Sequence, residues 1–104
     1  MLKVVPLLSG SVNFGKEKPD EPYRHFVVES YRPQSTAGLH GPVHIRPTSG
    51  QGIPVGLQVE CAKRLTRDYP VGTKFRLLAK LTDREDGGEY LYSYHGWRVE
   101  VLPP

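Results

Sequence analysis

From Lys74 to Thr82 the chain alternates strictly, with Phe75, Leu77, Ala79 and Leu81 on one side and Lys74, Arg76 and Lys80 on the other. That period of two is the mark of a half-buried strand. A second alternating segment, from Glu89 to Tyr94, follows across Asp86-Gly87-Gly88, and a third, from Trp97 to Leu102, completes a β-meander. Upstream, Leu57, Val59 and Cys61 alternate with Gln58 and Glu60, which predicts a strand from Leu57 to Cys61 with its cysteine turned to the core. A helix over the same stretch does not fit, because Leu57, Val59, Cys61, Ala62 and Leu65 do not keep the i, i+3, i+4 spacing of an apolar helical face. A single helical turn around residues 62–67 is the most that the pattern allows. The segment from Tyr23 to Arg32 places Tyr23, His25, Val27 and Tyr31 on one side and Phe26 and Val28 on the other. Apolar residues on both sides suggest a central strand, covered on each face. Short apolar runs from Leu2 to Leu8 and from Val43 to Arg46 read as two further strands.

With 11 glycines and 10 prolines in 104 residues, the chain is punctuated too often for long helices. The expected fold is therefore all-β: one domain over residues 1–104, a small antiparallel β-barrel or strongly curved sheet of the OB-like or SH3-like kind, with at most one short helical turn. A chain of this length buries roughly two thirds of its unfolded surface. The expected core draws on Val27, Leu57, Val59, Cys61, Phe75, Leu77, Ala79, Leu81, Val99 and Val101, and the alternation of Trp97 with the last two predicts that it joins them. The stretch from Pro33 to Pro54 is mostly loop. Connections this long are uncommon in compact domains and are often functional.

Tyr90, Tyr92 and Tyr94 share one face of their strand, and the parity of the preceding loop decides which face that is. An even loop sets them opposite Leu81, Ala79 and Leu77, as core residues; this is the arrangement that a two-residue Asp-Gly turn favours. An odd loop, a three-residue turn with a glycine bulge, sets Tyr90 and Tyr92 opposite Thr82 and Lys80 and Tyr94 opposite Leu78, beside the basic side chains. In that arrangement Lys74, Arg76, Lys80 and Arg98 with Tyr90, Tyr92 and Tyr94 form a cationic and aromatic surface. Such surfaces hold single-stranded nucleic acid, the bases stacking on the rings and the cations neutralising phosphates.

Charge changes the picture modestly. The net charge is +3 with a pI near 9.1, short of what a purely electrostatic nucleic-acid tail carries. Between Ala62 and Arg84, however, Lys63, Arg64, Arg67, Lys74, Arg76, Lys80 and Arg84 stand against only Asp68 and Asp83. The competing reading is a protein-interaction or assembly subunit, including self-association, that uses an edge strand or the loop between Pro33 and Pro54. A third reading, an enzyme working through His40, His44 or His95, has no motif behind it.

Other chemistry finds little support. Cys61 is the single cysteine, so there is no disulfide framework, and a reducing compartment, the cytoplasm, is expected. The first residues carry one charge and a proline-broken apolar run, which reads as a strand rather than a signal peptide. No apolar stretch reaches the ~20 residues of a membrane helix, so no membrane partner is expected. His40, His44, His95 and Cys61 lack the spacing of a metal site, and Gly41-Pro42 precludes a helix between the first two. Residues 50–56 resemble a phosphate loop but lack the lysine followed by serine or threonine. No serine sits in a nucleophile elbow, and Glu85, Asp86 and Glu89 crowd a turn tip. No catalytic residue, metal or cofactor is expected.

Overall fold

A computed structural model of the protein describes residues 21–33 and 42–104. Within them lie six strands and one helical turn: β1 (Arg24–Tyr31), β2 (His44–Pro47), β3 (Gln58–Glu60), α1 (Arg64–Arg67), β4 (Lys74–Asp83), β5 (Glu89–Tyr92) and β6 (Glu100–Val101). The strand expected from Leu2 to Leu8 falls outside the described residues. The sheet runs in the order β2-β1-β4-β5-β3, with β6 pairing β4. Its two ends, β2 and β3, come into contact, so the sheet curls into a nearly closed barrel. Pairing is antiparallel throughout except between β3 and β5. The all-β barrel with a single helical turn is thus the fold.

β4 is the organising strand because its alternation is cleanest. Phe75, Leu77 and Ala79 are fully buried, and β1 sets Val28 opposite Phe75 and Phe26 opposite Leu77. Ile45, Ala62, Leu65 and Leu91 complete the core, with Leu57, Val59, Cys61, Leu81 and Val99 packed at its margin. Two expected core residues stand elsewhere. Val27 pairs with Arg76, which puts it on the opposite face of β1 from Phe26 and Val28. Val101, on a two-residue strand beside the start of β4, remains 45% exposed.

Where β2 ends, the sheet edge is continued by a side chain. The Gln51 amide accepts from the Val27 N–H and donates to the Val27 carbonyl, both at 2.8 Å, and it also donates to the Thr48 carbonyl at 2.9 Å. The Val27 carbonyl also accepts from the Thr48 N–H at 3.1 Å, so the glutamine supplies the acceptor that the Val27 N–H needs and a second donor to its carbonyl.

The β4–β5 hairpin resolves the parity question in favour of the odd loop. Tyr90 stands opposite Thr82 and Tyr92 opposite Lys80. The Arg84 N–H donates to the Gly88 carbonyl at 2.9 Å around a three-residue turn, and Gly87 and Gly88 both hold positive φ, 98° and 83°. Two adjacent glycines make a left-handed bulge inexpensive, which outweighs the two-residue turn that Asp-Gly alone favours.

β6 resumes the antiparallel direction of β5 along β4, but the residues between them do not follow the ladder. Seven of them, Ser93 to Val99, fall where only Leu77, Leu78 and Ala79 separate the two pairings. The surplus is thrown outward as a turn in which the Trp97 N–H donates to the Tyr94 carbonyl at 3.2 Å. Ser93 anchors its start: it is buried, its N–H bonds the Glu60 carbonyl at 2.8 Å and its hydroxyl donates to the Leu78 carbonyl at 2.7 Å.

Candidate functional site

The outer face of the barrel carries all seven side chains of the cationic and aromatic surface, but in separate groups. At the start of β4, Lys74 lies 3.8 Å from Glu29, which also pairs with Arg46 at 2.9 Å. Arg76 meets Glu100 at 3.0 Å, directly across the β4–β6 ladder. Both basic side chains therefore face local carboxylates. Lys80 is only 7% exposed, and its ammonium sits 5.4 Å from the centre of the Tyr23 ring, within cation–π range. Thr82 is buried beside it, so the second half of β4 is covered on both faces.

The tyrosines divide as well. Tyr90 is half-buried beneath the Arg84 guanidinium, 4.9 Å from its ring centre, and Arg84 also donates to the Gln58 side chain. Tyr92 is half-buried opposite Lys80. Tyr94 leaves the ladder with the outward turn and stays 44% exposed. Its ring lies 4.7 Å from that of His95 and 5.7 Å, edge-on, from that of Trp97. Trp97 in turn meets Tyr23 edge-on at 5.2 Å, and exposed Arg98 follows it in the chain.

The molecule thus assembles an aromatic platform of Tyr23, Tyr94, His95 and Trp97, of which the sequence pattern singled out Tyr94 alone. Trp97 belongs to this surface and not to the core, contrary to its alternation with Val99 and Val101, because the strand it was assigned to is interrupted. The available signal was Gly96. A Cβ there would come within 2.5 Å of the Tyr94 ring, so the ring keeps this position only beside a glycine.

One groove adjoins the platform through His95 and a second lies beyond it. The first, of about 300 Å³, is bordered by Tyr92, Ser93 and His95 together with Glu60, Cys61 and Lys63. The other, of about 390 Å³, lies at the seam where β2 meets β3, bordered by Val43, Ile45, Gln58, Val59, Tyr90 and Arg84, and it shares Glu60, Cys61 and Lys63 with the first. Burial pushes the Cys61 thiol up to about 11, so at neutral pH the sulfur is protonated and a poor nucleophile. His44 borders the seam groove and His95 the smaller one, while His40 lies outside the described residues. Among the described residues no three His, Cys, Asp or Glu side chains are placed to share a metal ion, and no helix is long and apolar enough to cross a membrane.

Aromatic rings, with Lys80 beside Tyr23 and Arg84 over Tyr90, and the adjoining grooves are suited to holding planar, anionic groups. The chain matches no protein-family model, and no curated protein or solved structure is significantly similar to it.

Proposed function

We propose that this barrel is a non-enzymatic module that binds single-stranded nucleic acid, with bases stacking on the platform of Tyr94, Trp97 and Tyr23. The observation that carries the reading is the outward turn between β5 and β6. It removes Tyr94 and Trp97 from the ladder and leaves Tyr94 exposed and Trp97 half-buried, their ring centres 5.7 Å from one another. Trp97 stays outside the core cluster, with its ring between those of Tyr94 and Tyr23. Arg98, beside the platform, is the cation best placed to meet a phosphate, and Lys80 holds Tyr23 in position and adds positive potential beneath it. Lys74 and Arg76 contribute less, since Glu29 and Glu100 compete for them. Cys61 is the single cysteine and has no second one in the chain to pair with, which suits action in a reducing compartment such as the cytoplasm.

The test is a titration of Trp97 fluorescence with mixed-sequence single strands at about 50 and 200 mM salt. Saturable quenching that weakens steeply with salt is expected, because phosphate contacts release counterions. Tyr94→Ala should weaken binding between about fivefold and a hundredfold, the 1–3 kcal/mol of one stacked base. Absence of binding at either salt overturns the proposal. An assembly role is the second reading, favoured by β6, whose Val101 is 45% exposed on a two-residue strand. Under that reading size-exclusion chromatography at two concentrations shows self-association, and the nucleic-acid titration is flat.

A further inference from the structure

We infer that the bound strand does not end at the platform but continues along β5, through both grooves, to a second cationic station formed by Lys63 and Arg84; this rests on the single-strand reading above. Three observations carry it. First, the surface is continuous: His95 touches Tyr94 and borders the smaller groove, and Glu60, Cys61 and Lys63 border both grooves. Second, aromatic rings recur along the path. Tyr92 and Tyr90 are two residues apart on β5, about 7 Å along an extended strand, and Tyr94 follows where the chain leaves the ladder, so a passing strand meets aromatic side chains in turn. Third, the charge suits a polyanion. Lys63 and Arg84 outnumber Glu60, the only carboxylate bordering either groove among the described residues. Arg84 already lies over the Tyr90 ring, so its guanidinium can face a phosphate while its plane backs onto an aromatic.

The occupant is therefore a longer single strand rather than an isolated nucleotide. A trimer fills the platform, and the additional affinity of a longer oligonucleotide comes from the grooves. The experiment measures anisotropy of end-labelled oligothymidylates of three and eight nucleotides on the full chain, for the unaltered protein and for Lys63→Gln plus Arg84→Gln. In the unaltered protein the octamer should bind at least tenfold more tightly than the trimer. In the double variant most of that gain should disappear, the trimer losing less than twofold, and the salt slope for the octamer should flatten by about 1.4, at about 0.7 for each phosphate contact on a single strand. Thermal melting of the double variant verifies that it is folded. As a second probe, Tyr90→Ala should reduce the octamer's advantage without altering net charge. If the octamer keeps its full advantage in both variants, or binds no better than the trimer at the outset, the extended track is wrong while the platform stands. If neither oligonucleotide binds and Trp97 is unquenched, the platform fails and the track with it.

Discussion

Gln51 shows how much one side chain can carry in a small sheet. Its amide closes two hydrogen bonds on Val27 and a third on Thr48, at the point where β2 has ended and β1 still has an N–H to satisfy, the Val27 C=O being shared with the Thr48 N–H. Gln51→Ala should cost about 1–3 kcal/mol, the penalty of leaving a partly buried backbone group without its partner. Gln51→Glu should be no better: it can still accept from the Val27 N–H, but it sets carboxylate oxygen against the Val27 and Thr48 carbonyls. Urea unfolding checks both, and an alanine variant within about 0.5 kcal/mol of the parent would show that the clamp is dispensable. Cys61 gives a second residue-scale prediction. With the thiol pushed from 9.0 up to about 11 by burial, its thiolate is about a hundredfold scarcer at pH 8 than in a free thiol, and alkylation should slow by a similar factor until the protein is unfolded. The linkage has a definite sign. A thiol that ionises later in the folded state than in the unfolded one leaves stability intact below pH 9.0, and stability then falls as pH rises from 9.0 through about 11, because the unfolded chain releases its proton first. A denaturation midpoint that rises over that interval would contradict the burial of this thiol.

At the scale of elements, what could be read in advance follows from how local the determinants are. β4 was legible because its alternation is encoded residue by residue, and the barrel class followed from it and from the density of glycine and proline. The parity of the β4–β5 hairpin was not, since Asp86-Gly87-Gly88 supports either an even or a bulged loop and the choice depends on which face of β5 the core accepts. Leu91 settles it: it is the one fully buried side chain of β5, and Tyr90 and Tyr92 flank it. β1 misled for a related reason. With apolar residues on both sides, only its register against β4 decides that Phe26 and Val28 form the core and Val27 does not. The aromatic platform was illegible because it depends on an interruption of what otherwise reads as continuing strand, and on Tyr23, which is some seventy residues away from Trp97 in the chain and meets it only in the folded barrel. The interruption is testable at Gly96. An added Cβ would lie 2.5 Å from the Tyr94 ring, a flexible and 44% exposed side chain, so Gly96→Ala should swing the ring away instead of unfolding the domain. The expected result is a shifted Trp97 emission spectrum with a loss of about 0.5–1.5 kcal/mol, the worth of one aromatic pair. An unaltered spectrum would mean that Tyr94 does not pack on Trp97 in solution.

For the whole molecule, the decisive quantity is how its charge is distributed, not its net value. Lys74, Arg76 and Arg46 lie on the outer face, yet each has a carboxylate within 4 Å, from Glu29 or Glu100. Exposed pairs of this kind contribute about 0–1 kcal/mol to folding, so their main consequence is to reduce the positive potential that an approaching polyanion meets. Arg76 and Glu100 adjoin the segment bearing Arg98 and Trp97, which places this pair closest to the platform. Glu100→Gln should therefore leave stability nearly unchanged, within about 0.5 kcal/mol, while tightening single-strand binding at low salt and steepening its salt dependence by up to about 0.7, the increment for one additional phosphate contact. The same reasoning sets an order among cation deletions. Arg98→Gln should weaken binding more than Lys74→Gln, since Lys74 is already held near Glu29 at a distance from the platform. Anisotropy titrations of the three variants across a salt series measure both effects. If Glu100→Gln binds no more tightly than the parent at about 50 mM salt, or if Lys74→Gln proves the more damaging deletion, the strand lies along the start of β4 and not across the turn that carries Trp97.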